Sequence, residues 1–195
     1  MIRGDSADYK LLEKWSKDFD CQGYYSCEIG IREGRGSKTI IENVKNSYLH
    51  IGVDPYGDLD YQHFDDQKHF QWGDLPVGKA PSYPDSMRDQ MIKDFAQYTH
   101  RGLFHFANMT DIDFMCHNVY SGLKYSFVFL DGPHTTKAVL AESLFFAVRS
   151  CPHTRIIFDD YEYYDMNLIV KCMRYFGFEI LEKGKNKVCL EKNGD

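Results

Sequence analysis

Apolar, strand-like runs in this 195-residue chain repeatedly stop at a carboxylate: Tyr24 to Cys27 at Glu28, Tyr48 to Val53 at Asp54, Tyr125 to Leu130 at Asp131, and Arg155 to Phe158 at the Asp159-Asp160 pair. Runs this short, bounded by turn residues, read as strands rather than helices. Helix-like stretches lie between them, and that alternation predicts a parallel sheet with helices on both faces. In an open sheet of this kind the carboxyl ends of the strands share one rim, and ligands bind in the crevice there. Five carboxylates on one rim point to a site.

The same reading places strands near 24–29, 48–53, 103–107, 125–130, 154–158, 177–183 and 187–192. Helices are expected near 37–45, 84–99, 111–120, 135–149 and 163–176, after a short amphipathic helix marked by Tyr9, Leu11, Leu12 and Trp15. Gly184, Lys185 and Asn186 between the last two strands have the length and composition of a hairpin loop rather than a crossover. The fold class is therefore α/β: a doubly wound, mostly parallel, seven-stranded sheet with an antiparallel C-terminal strand, spanning 1–195 as one domain. The interval 55–84 breaks the rhythm. It carries Tyr56, Tyr61, Phe64, Phe70, Trp72 and Tyr83 with no sustained period, and an unpatterned loop of that length inside a compact domain reads as an ordered lid or substrate loop.

Composition narrows the function classes. A net charge of −6 argues against broad electrostatic binding to nucleic acid. A small molecule is the expected partner. The six cysteines show no CxxC spacing, so neither a zinc knuckle nor a disulfide framework is indicated, and a reducing cytoplasm fits best. No apolar run approaches the roughly 18 residues that a membrane span needs, and the N-terminus lacks the apolar stretch of a signal peptide. Nothing in the residues specifies an oligomeric state, and a homo-oligomer stays open.

Two groups of residues carry chemistry. Cys27 to Ser37 reads CEIGIREGRGS, a glycine loop that follows the first strand and opens a helix. Glycines there allow a tight turn and let a ligand approach peptide N–H groups at a helix N-terminus. Gly30, Gly34 and Ser37 are its candidate cofactor contacts. Asp54, at the end of the second strand, stands where an acid accepts hydrogen bonds from ribose hydroxyls. A dinucleotide loop would read GxGxxG, and the spacing here departs from it. The second group is Asp131, Asp159 and Asp160. If their strands are neighbours, three carboxylates converge, a donor set that suits a hard divalent ion such as Mg2+. Helix capping by Asp131 is the competing role.

The loop that follows Glu28, with the acid at Asp54, resembles the first two motifs of class I S-adenosylmethionine-dependent methyltransferases. The runs Asp131-Gly132-Pro133-His134 and Asp159-Asp160-Tyr161 resemble those of the metal-dependent O-methyltransferase branch, specifically the group related to macrocin O-methyltransferase. The resemblance covers roughly residues 24 to 192. It implies an enzyme that binds S-adenosylmethionine with Gly30 on the methionine part, Asp54 on the ribose and Glu28 supporting the loop. Asn108 and Met109, after the third strand, fall at the adenine. Mg2+ would be held by Asp131, Asp159 and Asp160, and the reaction would be methylation of a small hydroxylated acceptor such as a sugar or phenol. Some relatives carry a base two residues after the first aspartate. Pro133 occupies that place, which leaves His134 as the candidate base beside Asp131. Many relatives also have a glycine-rich turn before the fifth strand, where this chain has Cys151-Pro152-His153-Thr154.

The rival readings are a metal-independent methyltransferase acting on another nucleophile, a non-catalytic nucleotide-binding module of the same fold, and a Rossmann dehydrogenase. The last is disfavoured by the terminal hairpin and the glycine spacing. The polar cluster His63, Asp65, Asp66 and His69 reads as a solvated loop, and Arg32 and Arg35 could face an acidic ligand or solvent.

Overall fold

The computed structural model describes residues 9–57, 59, 61–71 and 74–194. Its strands are β1 (Tyr25–Ile29), β2 (His50–Val53), β3 (Phe104–Ala107), β4 (Tyr125–Leu130), β5 (Ser150–Asp159), β6 (Phe178–Lys183) and β7 (Lys187–Lys192). They form one sheet in the order β3-β2-β1-β4-β5-β7-β6. Neighbours from β3 to β5 are parallel, and β7 runs antiparallel to both β5 and β6. Strands are laid down outward from β1 through β2 to β3 on one side and from β4 to β5 on the other, where β7 then inserts between β5 and the edge strand β6. The reversal between β1 and β4 opens the crevice at their carboxyl ends.

Side-chain alternation along β4 builds two of the cores. Val128 and Leu130 join Cys27, Ile29, Ile156 and Phe158 beneath α4 (Asp111–Cys116), α5 (Asn118–Ser121), α6 (Thr136–Ala147) and α7 (Met166–Arg174). Phe127 and Phe129 point the other way, against Leu12 and Trp15 of α1 (Tyr9–Ser16) and Ile40 of α2 (Arg35–Asn43). A third cluster, with Ile31, Phe95 and Phe104, holds α3 (Asp85–His100) against the β2–β3 edge. Burying a ring such as Phe95 or Phe129, neither of which is exposed, contributes about 2–3 kcal/mol. Among the described residues no helix is long and apolar enough to cross a membrane.

Two local expectations are corrected. The helix expected over 111–120 is two helices, because His117 adopts extended backbone and its Nδ1 accepts the Val119 N–H at 3.3 Å, capping α5. The fifth strand starts at Ser150, not after a turn ending at Thr154. Pairing passes from Tyr125↔Ser150 to Phe127↔Arg155, so the extra residues around Pro152 bulge outward. A bulge accepts a proline because the ladder is already interrupted. His153 takes the left-handed φ of 62°, and the Thr154 hydroxyl accepts the Cys151 N–H at 2.9 Å.

The aromatic segment after β2 is packed where it is described. Phe64 is 2% exposed and lies against Phe70, Tyr163 and His134 at ring distances of 4.0, 5.1 and 5.9 Å. The His134 N–H donates to the His63 carbonyl at 2.8 Å, and Gly57 forms a bridge with Tyr83. Trp72 lies outside the described residues.

Candidate functional site

A cavity of about 420 Å³ runs along the carboxyl rim, from Gly30 and Asp54 to Asp131, His134, Asp159 and Asp160. Its volume falls within the range of small-molecule sites.

At its β1–β2 end the backbone is shaped by Gly30. This residue has φ of +85°, and a Cβ added there would lie 2.1 Å from the Asp131 carbonyl oxygen. Only glycine permits both the turn and the close approach of the β4 loop. Gly34, also left-handed at +86°, faces inward instead: a Cβ there would meet the Phe95 ring at 2.3 Å. Its role is packing of α3, and it does not line the cavity. Ser37 is likewise turned into the protein. Its hydroxyl donates to Glu28 Oε2 and contacts His50 Nε2 at 3.0 Å, while His50 Nδ1 meets Ser26 Oγ at 2.9 Å. Burial pushes the Glu28 carboxyl up to about 8 and the His50 imidazole down to about 3. Glu28, 1% exposed, therefore supports the loop from behind rather than lining the crevice.

Asp54 lines the cavity and is 4% exposed. Its Oδ2 accepts the Arg32 N–H at 2.9 Å and its Oδ1 the Tyr56 N–H at 3.0 Å, which closes the β1 and β2 loops onto each other. Each oxygen keeps lone-pair capacity for a ligand hydroxyl. Burial raises the carboxyl pKa, while those N–H bonds act in the opposite direction. The two residues expected at the adenine do not line the cavity. Asn108, with its amide oriented as its neighbours require, faces the carbonyl oxygens of Asp54 and Pro55 at 3.2 and 2.9 Å, and Met109 packs on the main core. Thr110 and Asp111, the next two residues, form the wall instead.

At the other end β4 and β5 are adjacent, and their acids converge. Asp159 is 1% exposed. Its Oδ1 accepts from Lys187 Nζ at 2.5 Å, the Asp160 N–H at 2.9 Å and Asn186 Nδ2 at 3.3 Å, whereas no donor reaches Oδ2. The Asp131 carboxyl lies within hydrogen-bonding reach of Asp159, and burial followed by that neighbouring charge holds its pKa well above the carboxylate range. Asp160 has left-handed backbone at φ 46°, and burial and Asp159 push its carboxyl up to about 6. His134 Nε2 is 3.8 Å from both Asp131 Oδ1 and Asp160 Oδ2. Its ring stacks on Tyr164, 4° from parallel, and burial pulls its pKa down to about 4. The imidazole is therefore neutral at pH 7, with two acids placed to stabilise its protonated form.

The roof of the cavity draws on the segment 55–84 that the sequence marks as a lid or substrate loop. Arg32, Tyr56, Tyr61, His63 and Tyr83 line it, with the Arg32 guanidinium 5.7 Å from the Tyr83 ring centre. The aromatic density of 55–84 was the available signal, but no period in it reveals which rings turn inward. The polar cluster in that segment is split. His63 is buried in the cavity wall, Asp65 accepts the Thr136 N–H and hydroxyl at the start of α6, and Asp66 pairs with His69 in solvent. Lys187 and Asn186 were missed as well, because only the pairing of β7 with β5 brings them to the acids.

The donor set does not fit the expected Mg2+ site. Lys187, 0% exposed, already neutralises Asp159, and a divalent ion bound to the same carboxylate would face that ammonium at close range. Among the described residues no group of three His, Cys, Asp or Glu side chains is arranged to hold a metal. An S-adenosylmethionine-type ligand is compatible with the rim, because the cradle at Gly30 is open to it and Asp54 borders it.

No protein-family model matches the chain, and no curated protein is similar to it in sequence. Solved structures are similar in fold. An O-methyltransferase from Bacillus cereus in complex with SAH superposes with a TM-score of 0.59 at 10% identity, covering 98% of this chain and 84% of that one. The O-methyltransferase TomG from Streptomyces achromogenes, in complex with SAM, gives 0.58 at 11% identity, covering 100% and 82%. A ribosomal protein L11 methylase from Lactobacillus delbrueckii gives 0.58 at 9% identity, covering 97% and 81%. The chain has the Rossmann-like fold of S-adenosylmethionine-dependent methyltransferases. The acceptors in those names differ, so the fold does not specify one.

Proposed function

We propose that this protein transfers the methyl group of S-adenosylmethionine to a hydroxyl of a small molecule. One observation carries the reading: Gly30 and Asp54 at one end of a single cavity, and Asp131, His134 and Asp160 at the other. S-adenosylmethionine would supply an electrophilic methyl on a sulfonium. Asp54 would accept the ribose hydroxyls, and the Gly30 turn would admit the methionine part beside the Asp131 backbone. The acceptor would lie beneath Tyr61, His63 and Tyr83, with its hydroxyl toward His134. Neutral His134 would take the hydroxyl proton as the oxygen–carbon bond forms and the methyl–sulfur bond breaks to release S-adenosylhomocysteine, and the flanking carboxyls of Asp131 and Asp160 would stabilise the imidazolium.

Calorimetric titration with S-adenosylhomocysteine, followed by transfer of labelled methyl to panels of phenols and sugars, tests the reading. Binding together with transfer supports it. Binding without transfer to any hydroxyl favours another nucleophile or a non-catalytic module. No binding by the folded protein removes the methyltransferase reading.

A further inference from the structure

We propose that Lys187 is the built-in cation of the acid cluster, occupying by covalent attachment the electrostatic role that a divalent ion would otherwise fill, so that replacing it by a neutral side chain creates a divalent-metal site. The inference rests on reading the acid rim as the reacting end of the cavity.

Backbone register sets the arrangement. Asp159 ends β5 and Lys187 begins β7, and the two are direct partners in the antiparallel ladder. Cross-strand partners project to the same face of a sheet at close range. The ammonium lies 2.5 Å from Asp159 Oδ1, with side-chain exposures of 0% and 1% for the pair. It also lies over the rings of Tyr9 and Phe129, whose centres are each 5.4 Å away. Ring faces stabilise a cation without neutralising it. This lysine is thus enclosed by α1 and the sheet and cannot swing into solvent without disturbing the ladder.

Asp131, Asp159 and Asp160 together would repel one another in a dry site unless positive charge or a proton intervened. Hard divalent ions serve that purpose in oxygen-ligand sites. Here one positive charge is fixed by the fold on Asp159, which also accepts from Asn186 and the Asp160 N–H, while Asp160 accepts from Asn186. A divalent ion at Asp159 would be repelled by the ammonium. Removing that ammonium leaves carboxylates with an uncompensated charge, the condition under which a hard ion binds.

The test is Mn2+ binding, followed by loss of the free-ion paramagnetic resonance signal, in wild type, Lys187→Met, Lys187→Arg and the double variant Lys187→Met/Asp160→Asn. Lys187→Met should bind Mn2+ at least about a hundredfold more tightly than wild type, from the like-charge repulsion removed. Lys187→Arg should behave as wild type, and the double variant should lose the gain. Mn2+ should also raise the melting temperature of Lys187→Met, which keeps the comparison readable if the variant is marginally folded. Saturable Mn2+ binding by wild type that Asp160→Asn removes would overturn the proposal, and so would a folded Lys187→Met without increased affinity. Neither readout involves S-adenosylmethionine, so failure of the methyl-transfer reading is separable from failure of this one.

Discussion

The Gly30 α-carbon stands so close to the Asp131 backbone that a methyl group added to it would lie 2.1 Å from the Asp131 carbonyl oxygen. The β1 and β4 loops are thereby locked together at the switch point of the sheet. Their contact is a backbone hydrogen bond as well, from the Asp131 N–H to the Ile29 carbonyl at 2.8 Å.

Gly30→Ala should therefore be severely destabilising. The left-handed φ of +85° and the clash with backbone act together, and the cost should be about 2–4 kcal/mol. Urea unfolding checks this, and a loss under about 0.5 kcal/mol, the size of an ordinary surface change, would contradict the packing described.

Asp54→Ala removes the acceptor of the Arg32 and Tyr56 N–H groups and the proposed ribose contact. Affinity for S-adenosylhomocysteine should fall on the order of a hundredfold, as expected when hydrogen bonds to a charged group are lost. Asp54→Asn, which keeps one acceptor oxygen, should fall less. Calorimetry on the three proteins gives the comparison, and equal affinities would reassign the ribose site.

His50 is neutral in the fold, its pKa lowered by burial from 6.5 to about 3. Above pH 6.5 it is neutral in both states and contributes nothing to pH dependence. As pH falls below 6.5 the unfolded chain takes up a proton that the folded protein refuses, so stability falls with falling pH. Relative to His50→Gln, wild type should lose about 1.4 kcal/mol per pH unit between pH 6 and 4. Parallel urea curves at several pH values measure the difference, and a pH-independent difference would place the proton on folded His50.

Phe64→Ala should loosen the roof over His134 more than it destabilises the sheet. The ring bridges Phe70, Tyr163 and His134, and a truncated buried phenylalanine costs about 3–5 kcal/mol where the surroundings cannot relax. Segment 61–70 can relax locally, so the global loss should be smaller. Hydrogen exchange at the His134 amide, which is bonded to His63, should accelerate while exchange in β4 is unchanged. Unchanged protection at His134 would show that other contacts hold the segment.

The short apolar runs ending in acids, the alternation with amphipathic helices and the three-residue turn at Gly184 to Asn186 were sufficient to read the sheet, its seven strands and its reversed last strand. Those signals are local, and β4 and β7 have the bounds expected from them. The strand-end positions of Gly30 and Asp54 were legible for the same reason, since a strand end and its turn residues lie together in the chain. The inward packing of Gly34 and Ser37, the line of the wall through Thr110 and Asp111, and the buried ring set of 55–84 were not, because each depends on which neighbour a side chain meets. Lys187 is the clearest case. Its sequence context is an ordinary hairpin start, and only the insertion of β7 beside β5 puts its ammonium on Asp159. The sequence by itself determined the rim and placed the acids on it; the tertiary structure decided what balances their charge, because electrostatics acts through space and strand order is not written in any local pattern.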